Sequence, residues 1–162
     1  MKLRNFVCLV MMCAVLFVIT ACGADDSQEI NAASMPNPFT TYGTLDEAAD
    51  SVDFSIILPD KPAWATEVLY RVSNTDLLEI IYNGDGMQYR IRKAAGDQDI
   101  SGDYNIYSEL TDVTFQDVNL AVKGDDGKVA LVTWLNGGYS YSVSFSDQIS
   151  LDEAEAFISV IE

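Results

Sequence analysis

Three short turn signals punctuate the chain from residue 84 onward. They are Gly84 to Gly86 (GDG), Gly124 to Lys128 (GDDGK) and Asn136 to Gly138 (NGG). Glycine and aspartate tolerate the positive φ that tight hairpin turns demand. A parallel pair needs a crossover of a dozen or more residues, so the strands these turns join are antiparallel.

The segments around the turns alternate with a period of two. Val68, Tyr70 and Val72 share one face of a strand. Met87, Tyr89 and Ile91 oppose Gln88, Arg90 and Arg92, and Val118, Leu120 and Val122 oppose Asn119, Ala121 and Lys123. After the NGG turn, Tyr139, Tyr141, Val143 and Phe145 alternate with Ser140, Ser142 and Ser144. Alternation of this kind marks strands with one apolar face. Leu77 to Asn83 (LLEIIYN) is more continuously apolar, which suits burial on both faces.

Two segments switch to helical spacing. In Thr44 to Val52, Leu45, Ala48, Ala49 and Val52 fall on one face, and Thr44 with Glu47 reads as a capping box. Ser150 and Glu153 repeat the device ahead of the stripe Leu151, Ala154, Phe157, Ile158 and Ile161. The expected fold is α+β: a single curved antiparallel sheet of about six or seven strands, with a short N-terminal helix and a C-terminal amphipathic helix. It occupies residues 39–162, long enough to bury a normal core.

The first 21 residues have another logic. Lys2 and Arg4 precede an unbroken apolar run from Phe6 to Ile19. A membrane-spanning helix needs about 20 apolar residues, so a run of this length reads as a secretory signal. The following Ile19-Thr20-Ala21-Cys22 resembles the lipobox of bacterial lipoproteins. That resemblance implies cleavage before Cys22 and a diacylglyceryl group on its thiol, placing the chain on the extracytoplasmic face of the cell membrane. Two acyl chains anchor stably where one holds only marginally. Residues 22–38 are small and polar and end in two prolines near the domain, which describes a flexible tether. Its mean reach is roughly 20–24 Å. Cys8 and Cys13 leave with the signal, and the lipid consumes Cys22, so no disulfide is expected in the domain.

Charge and composition narrow the function. Residues 1–21 carry two basic residues and no acid, so the net charge of −16 becomes −18 on their removal. Nucleic acid is excluded as a partner, because binding it relies on Lys and Arg to neutralise phosphates. The chain has no histidine and no G-x-S-x-G, S-x-x-K or phosphate-loop motif. The common triads and zinc sites need imidazole or thiolate, so the domain reads as non-catalytic and without a cofactor.

One loop has the composition of a cation site. Asp97, Asp99, Ser101, Asp103 and Asn105 lie in DQDISGDYN, with Gly102 at the sixth place of a calcium-loop spacing. The twelfth place, where such loops use a bidentate Glu, is Ser108, with Glu109 one residue late. The competing reading is an acidic turn neutralised by Arg90, Arg92 and Lys93. At most this is a weak calcium site, and the domain holds no confident metal ligand. Trp64, Trp134, Tyr104, Tyr107, Tyr139 and Tyr141 are the aromatic residues open to stacking on a ligand or on one another.

Tyr89 to Tyr107, the run VALVTWLNGGYSYSVSF and the closing ISLDEAEAFISVI resemble an uncharacterised family of extracytoplasmic bacterial domains of unknown function. The likeness implies a compartment and an α+β fold, and no reaction. The expected function is a lipid-anchored domain that binds a ligand or protein partner at the cell envelope. The alternatives are a module holding an apolar ligand, in the manner of lipoprotein carriers, and a weak calcium-dependent module.

Overall fold

The computed structural model describes residues 37–162. The expected signal, Cys22 and the tether as far as residue 36 lie outside the described residues. Asn37 and Pro38, the end of that tether, are already tied to the fold. Asn37 Oδ1 accepts from the Phe39 amide at 3.1 Å, and the Pro38 carbonyl accepts from the Asn74 amide at 3.1 Å.

Eight strands form one open sheet, and every neighbouring pair is antiparallel. They are β1 (Phe39–Tyr42), β2 (Glu67–Ser73), β3 (Leu78–Gly84), β4 (Met87–Ala95), β5 (Glu109–Phe115), β6 (Val118–Gly124), β7 (Val129–Asn136) and β8 (Tyr139–Ile149). The spatial order is β1-β2-β3-β4-β8-β7-β6-β5. Two four-stranded meanders thus meet along β4 and β8. The helices are α1 (Leu45–Ala49) and α2 (Leu151–Ile158).

The antiparallel sheet with two short helices agrees with the expected class, but the strand count is eight instead of six or seven. The two additional strands, β1 and β5, are the two edges of the sheet. An edge strand has one neighbour and less apolar surface to bury, so alternation is weak there. β5 reads ELTDVTF and exposes its first four residues.

Local chemistry explains the connections. The β3–β4 loop is Asp85-Gly86 and the β7–β8 loop is Gly137-Gly138, with positive φ at all four residues. Such two-residue loops match the twist of the flanking strands. Gln116-Asp117 makes the same turn between β5 and β6 without a glycine, at φ 48° and 64°. Gly84 has a different reason to be glycine: a Cβ there would lie 2.2 Å from the Trp64 carbonyl oxygen. At α2 the capping box closes in both directions, with Ser150 and Glu153 exchanging backbone-to-side-chain bonds of 3.0 and 3.3 Å. At α1 the first arm forms, but the Glu47 carboxylate accepts from Gly43 N instead of the cap residue.

The helices and the irregular segment between α1 and β2 cover one face of the sheet. Leu78, Ile80, Ile91 and Val143 are fully buried there, joined by Val132, Ala154, Ile158 and Ile161. Tyr89 is the hub of an aromatic group with edge contacts to Trp64, Phe145 and Phe157 at ring-centre distances of 4.8, 4.8 and 5.2 Å. Trp134 and Tyr141 stack at 5.0 Å. Tyr141, Val143 and Phe145 are therefore core residues, as their alternation indicates. The serine face of β8 differs from expectation. Ser140 and Ser142 are also buried, because the β4–β5 connection, residues 96–108, crosses over them. Ser140 Oγ donates to the Gly96 carbonyl at 3.0 Å.

Phe145→Ala removes a ring that touches Tyr89 and Phe157 in a packed core. It is expected to lower stability by roughly 3–5 kcal/mol, read by urea denaturation. A loss below about 1 kcal/mol would contradict this packing.

Candidate functional site

The face opposite the helices is organised by a carboxylate. Glu79 lies mid-way along β3, and strand alternation turns it away from Leu78 and Ile80. Antiparallel register places Arg71 of β2 on one side of it and Arg92 of β4 on the other. Arg90 sits two residues before Arg92 on the same face. The Glu79 side chain is completely buried. Arg71 Nε donates to its Oε1 at 2.8 Å and Arg71 Nη2 donates to the same oxygen. Arg92 Nε donates to Oε2 at 2.8 Å. Arg90 Nε lies 3.4 Å from Oε2, an ion pair without hydrogen-bond geometry, and is buried with no other partner. Burial lowers the Arg90 pKa, and the Glu79 charge opposes that shift. Arg90 Nη2 donates to Gln88 Oε1 at 2.7 Å.

Arg92 also holds the β4–β5 connection. Its Nη1 donates to the Ile100 carbonyl at 2.9 Å and to the Ser101 carbonyl at 2.5 Å. Gly102 follows at φ +59°, and a Cβ there would lie 2.4 Å from Arg92 Nη1. Residues 96–108 are thus a strap across the sheet, held in the middle by one guanidinium and at its ends by the bonds of Gly96 to Gly138 and Ser140 and of Ser108 to Asp125.

The strap contains the residues with cation-loop spacing, and it uses them on itself. Asp99 Oδ1 accepts from Ser101 N at 2.8 Å, Ser101 Oγ from Asp103 N at 3.2 Å, and Asp103 Oδ1 from Asn105 N at 2.8 Å. Asp103 Oδ2 accepts from the Tyr107 hydroxyl at 2.5 Å. Asp97 is exposed and accepts from Gln98 Nε2. These are successive Asx and Ser turns, each satisfying a backbone amide two residues on. The Ser101 bonds hold the Asp99 carboxyl below its ordinary range. Among the described residues, no group of three or more His, Cys, Asp or Glu side chains is placed to hold a metal ion.

Two neutralising residues suggested by the sequence reach this region, and the third does not. Arg92 grips the strap and Arg90 lies beside it, in a small cavity of about 200 Å³ that Asp103 also lines. Lys93 points to the other face, as its place next to Arg92 in a strand requires. There its Nζ donates to the Ser55 carbonyl at 2.8 Å. It lies over the rings of Tyr139, Tyr141 and Phe54 at 4.7, 5.0 and 5.8 Å. Four of the six aromatic candidates are likewise committed: Trp134 and Tyr141 to each other, Trp64 to Tyr89, and Tyr139 to Phe54.

The strap also leaves large apolar side chains in solvent. Ser101 is buried against the sheet and Asp103 half-buried, while Asp97, Asp99 and Asn105 stay at the surface. Tyr104 and Ile106 are 95% and 97% exposed, and Leu110 at the start of β5 is 73% exposed. Between the first residues of the strap and the sheet lies an open groove of about 690 Å³. Asp97, Asp99, Ile100, Asp112, Lys123 and Leu135 contribute to it. On the other side, Phe157 of α2 packs against Tyr89 and Phe145 of the sheet. No helix among the described residues is long and apolar enough to cross a membrane. No protein-family model matches the chain, and no curated protein or solved structure matches it significantly.

Lys93 gives a test of the two-faced arrangement. Burial lowers its pKa below the ordinary lysine value, against the opposing pull of Tyr139 and Glu162. The unfolded chain then binds more protons across the window between the folded and unfolded pKa values. Stability from this group rises as pH increases through that window. Lys93→Met is expected to remove this rise. Urea titrations at pH 7 and pH 9.5 should show wild type gaining on the variant at the higher pH. A gap independent of pH would contradict the buried placement.

Proposed function

We propose that the protein is a lipid-anchored, non-catalytic domain that binds a protein partner on the extracytoplasmic face of the cell membrane. The observation that carries the partner-binding part is the outward display of Tyr104, Ile106 and Leu110 within seven consecutive residues. Monomeric proteins rarely leave adjacent large apolar side chains this open without a contact surface to serve. The strap bearing two of them is clamped by Arg92, so the display is held in place. The domain also lacks histidine, and its thiols all precede residue 23, which supports a non-catalytic reading. A carrier-like role for an apolar ligand has less support, because the groove between strap and sheet is lined by several carboxylates. The anchor rests on the lipobox-like residues ending at Cys22.

The test has two arms in cells expressing the full chain. Cys22→Ala is expected to abolish lipid attachment by mass spectrometry and to move the protein out of the membrane fraction. Lipid found elsewhere, or unchanged membrane retention, would contradict the anchor. A photo-crosslinking residue at position 106 is expected to give discrete protein adducts. The same residue at position 85, in the exposed β3–β4 turn, is expected to give none. Equal labelling from both positions would contradict a partner surface at the strap.

A further inference from the structure

β5 ends the sheet on the side where the strap enters. Its hairpin with β6 turns on two residues, so the flanking Phe115 and Val118 form a hydrogen-bonded pair. Bonded pairs then alternate along the strand through Val113, Thr111 and Glu109. Leu110, Asp112 and Thr114 therefore direct their backbone N–H and C=O groups away from β6, toward the free edge. All three residues are exposed. Proteins usually blunt such an edge with charged side chains, lysine above all, or with proline or a bulge. The charges of β5 are acidic, Glu109 and Asp112; it contains no lysine or proline, and its seven residues pair with β6 without a register shift. The opposite edge, β1, has only four residues.

We propose that the β5 edge receives an extended basic segment of a partner protein, which adds a ninth strand by backbone pairing with Leu110, Asp112 and Thr114. This rests on the partner-binding reading above and specifies the partner's chemistry. Strand addition draws affinity from main-chain bonds and specificity from alternate side chains. On the face shared by Leu110, Asp112 and Thr114, the added strand places an apolar residue beside Leu110 and Lys or Arg beside Asp112. On the other face, Val113 selects a second apolar residue. Tyr104 and Ile106 extend the apolar contact beyond the strand.

Charge selects the occupant. Residues 37–162 carry 22 acidic and 7 basic residues. Three of those bases, Arg71, Arg90 and Arg92, surround Glu79, and Lys93 is buried. The remaining surface is strongly negative and steers basic segments toward it. A second copy is disfavoured, because full-length antiparallel pairing of β5 with itself sets Asp112 opposite Asp112. An anionic lipid surface is repelled by the same field.

The experiment uses the full chain in detergent and two synthetic nine-residue peptides of valine and threonine that differ only at the central position, one carrying lysine and one glutamate there, with valine two residues to either side. The lysine peptide is expected to bind at least about tenfold more tightly by fluorescence anisotropy. It should slow amide exchange at Leu110, Asp112 and Thr114. Asp112→Lys is expected to reverse the preference between the peptides. Thr114→Pro deletes an outward N–H and no bond to β6, and is expected to weaken lysine-peptide binding about tenfold. Equal binding of both peptides, protection at other amides, or dimerisation through β5 would overturn the proposal. If position 106 still crosslinks in cells while the lysine peptide fails to bind, strand addition is wrong and the partner-binding reading stands. If crosslinking is also lost, both are wrong.

Discussion

The middle of the strap is tied to the sheet through the pairing of Glu79 with guanidinium groups. A buried carboxylate is strongly destabilising unless paired and hydrogen-bonded. Here cross-strand register supplies two donors without bending the backbone, because Arg71 and Arg92 are the residues directly opposite Glu79 on either side. Removing one partner of such a buried group typically costs about 3–5 kcal/mol. The same arrangement does a second task. Arg92 satisfies Glu79 with Nε and the strap carbonyls with Nη1, so one side chain links the sheet's charge centre to the connection that covers it.

The floor beneath the strap is polar. Charged groups and serines line that face of the sheet, and Ser101 is buried over it while Asp97, Asp99 and Asn105 stay at the surface. Asp99, Ser101 and Asp103 close turns on the strap's own backbone. A polar floor offers Tyr104 and Ile106 no apolar surface to bury against, and both are left in solvent. They precede an edge strand whose outward N–H and C=O groups pair with no other strand among the described residues.

Most of the central sheet was legible in the sequence. β2, β3, β4, β6, β7 and β8 have alternation or continuous apolarity, and their turns carry glycine or aspartate. β1 and β5 were hidden because edge strands bury little. The Gln116-Asp117 turn that precedes β6 lacks the usual glycine. Lys93 could have been placed correctly, since a strand that sends Arg92 one way sends Lys93 the other. Sequence proximity groups it with the arginines, and the pleat separates it from them. Glu79 sits inside an apolar run that gives no sign of its role. Its role depends on Arg71 across the β2–β3 hairpin, a pairing that only register reveals. The acidic strap could be recognised by composition, but spacing alone could not distinguish oxygens gathered for a cation from oxygens spent on neighbouring amides.

The most direct test of the clamp is native-state hydrogen exchange on Glu79→Gln, which keeps the side-chain shape and removes its charge. Loss of the carboxylate frees Arg92 to reorient. The strap amides of Ser101, Asp103 and Asn105 are expected to lose protection by about tenfold more than Ile80 and Val143 in the sheet centre, revealing local release of the strap. Strap and core amides losing protection in equal proportion, or strap amides unchanged, would show that Glu79 does not hold the strap.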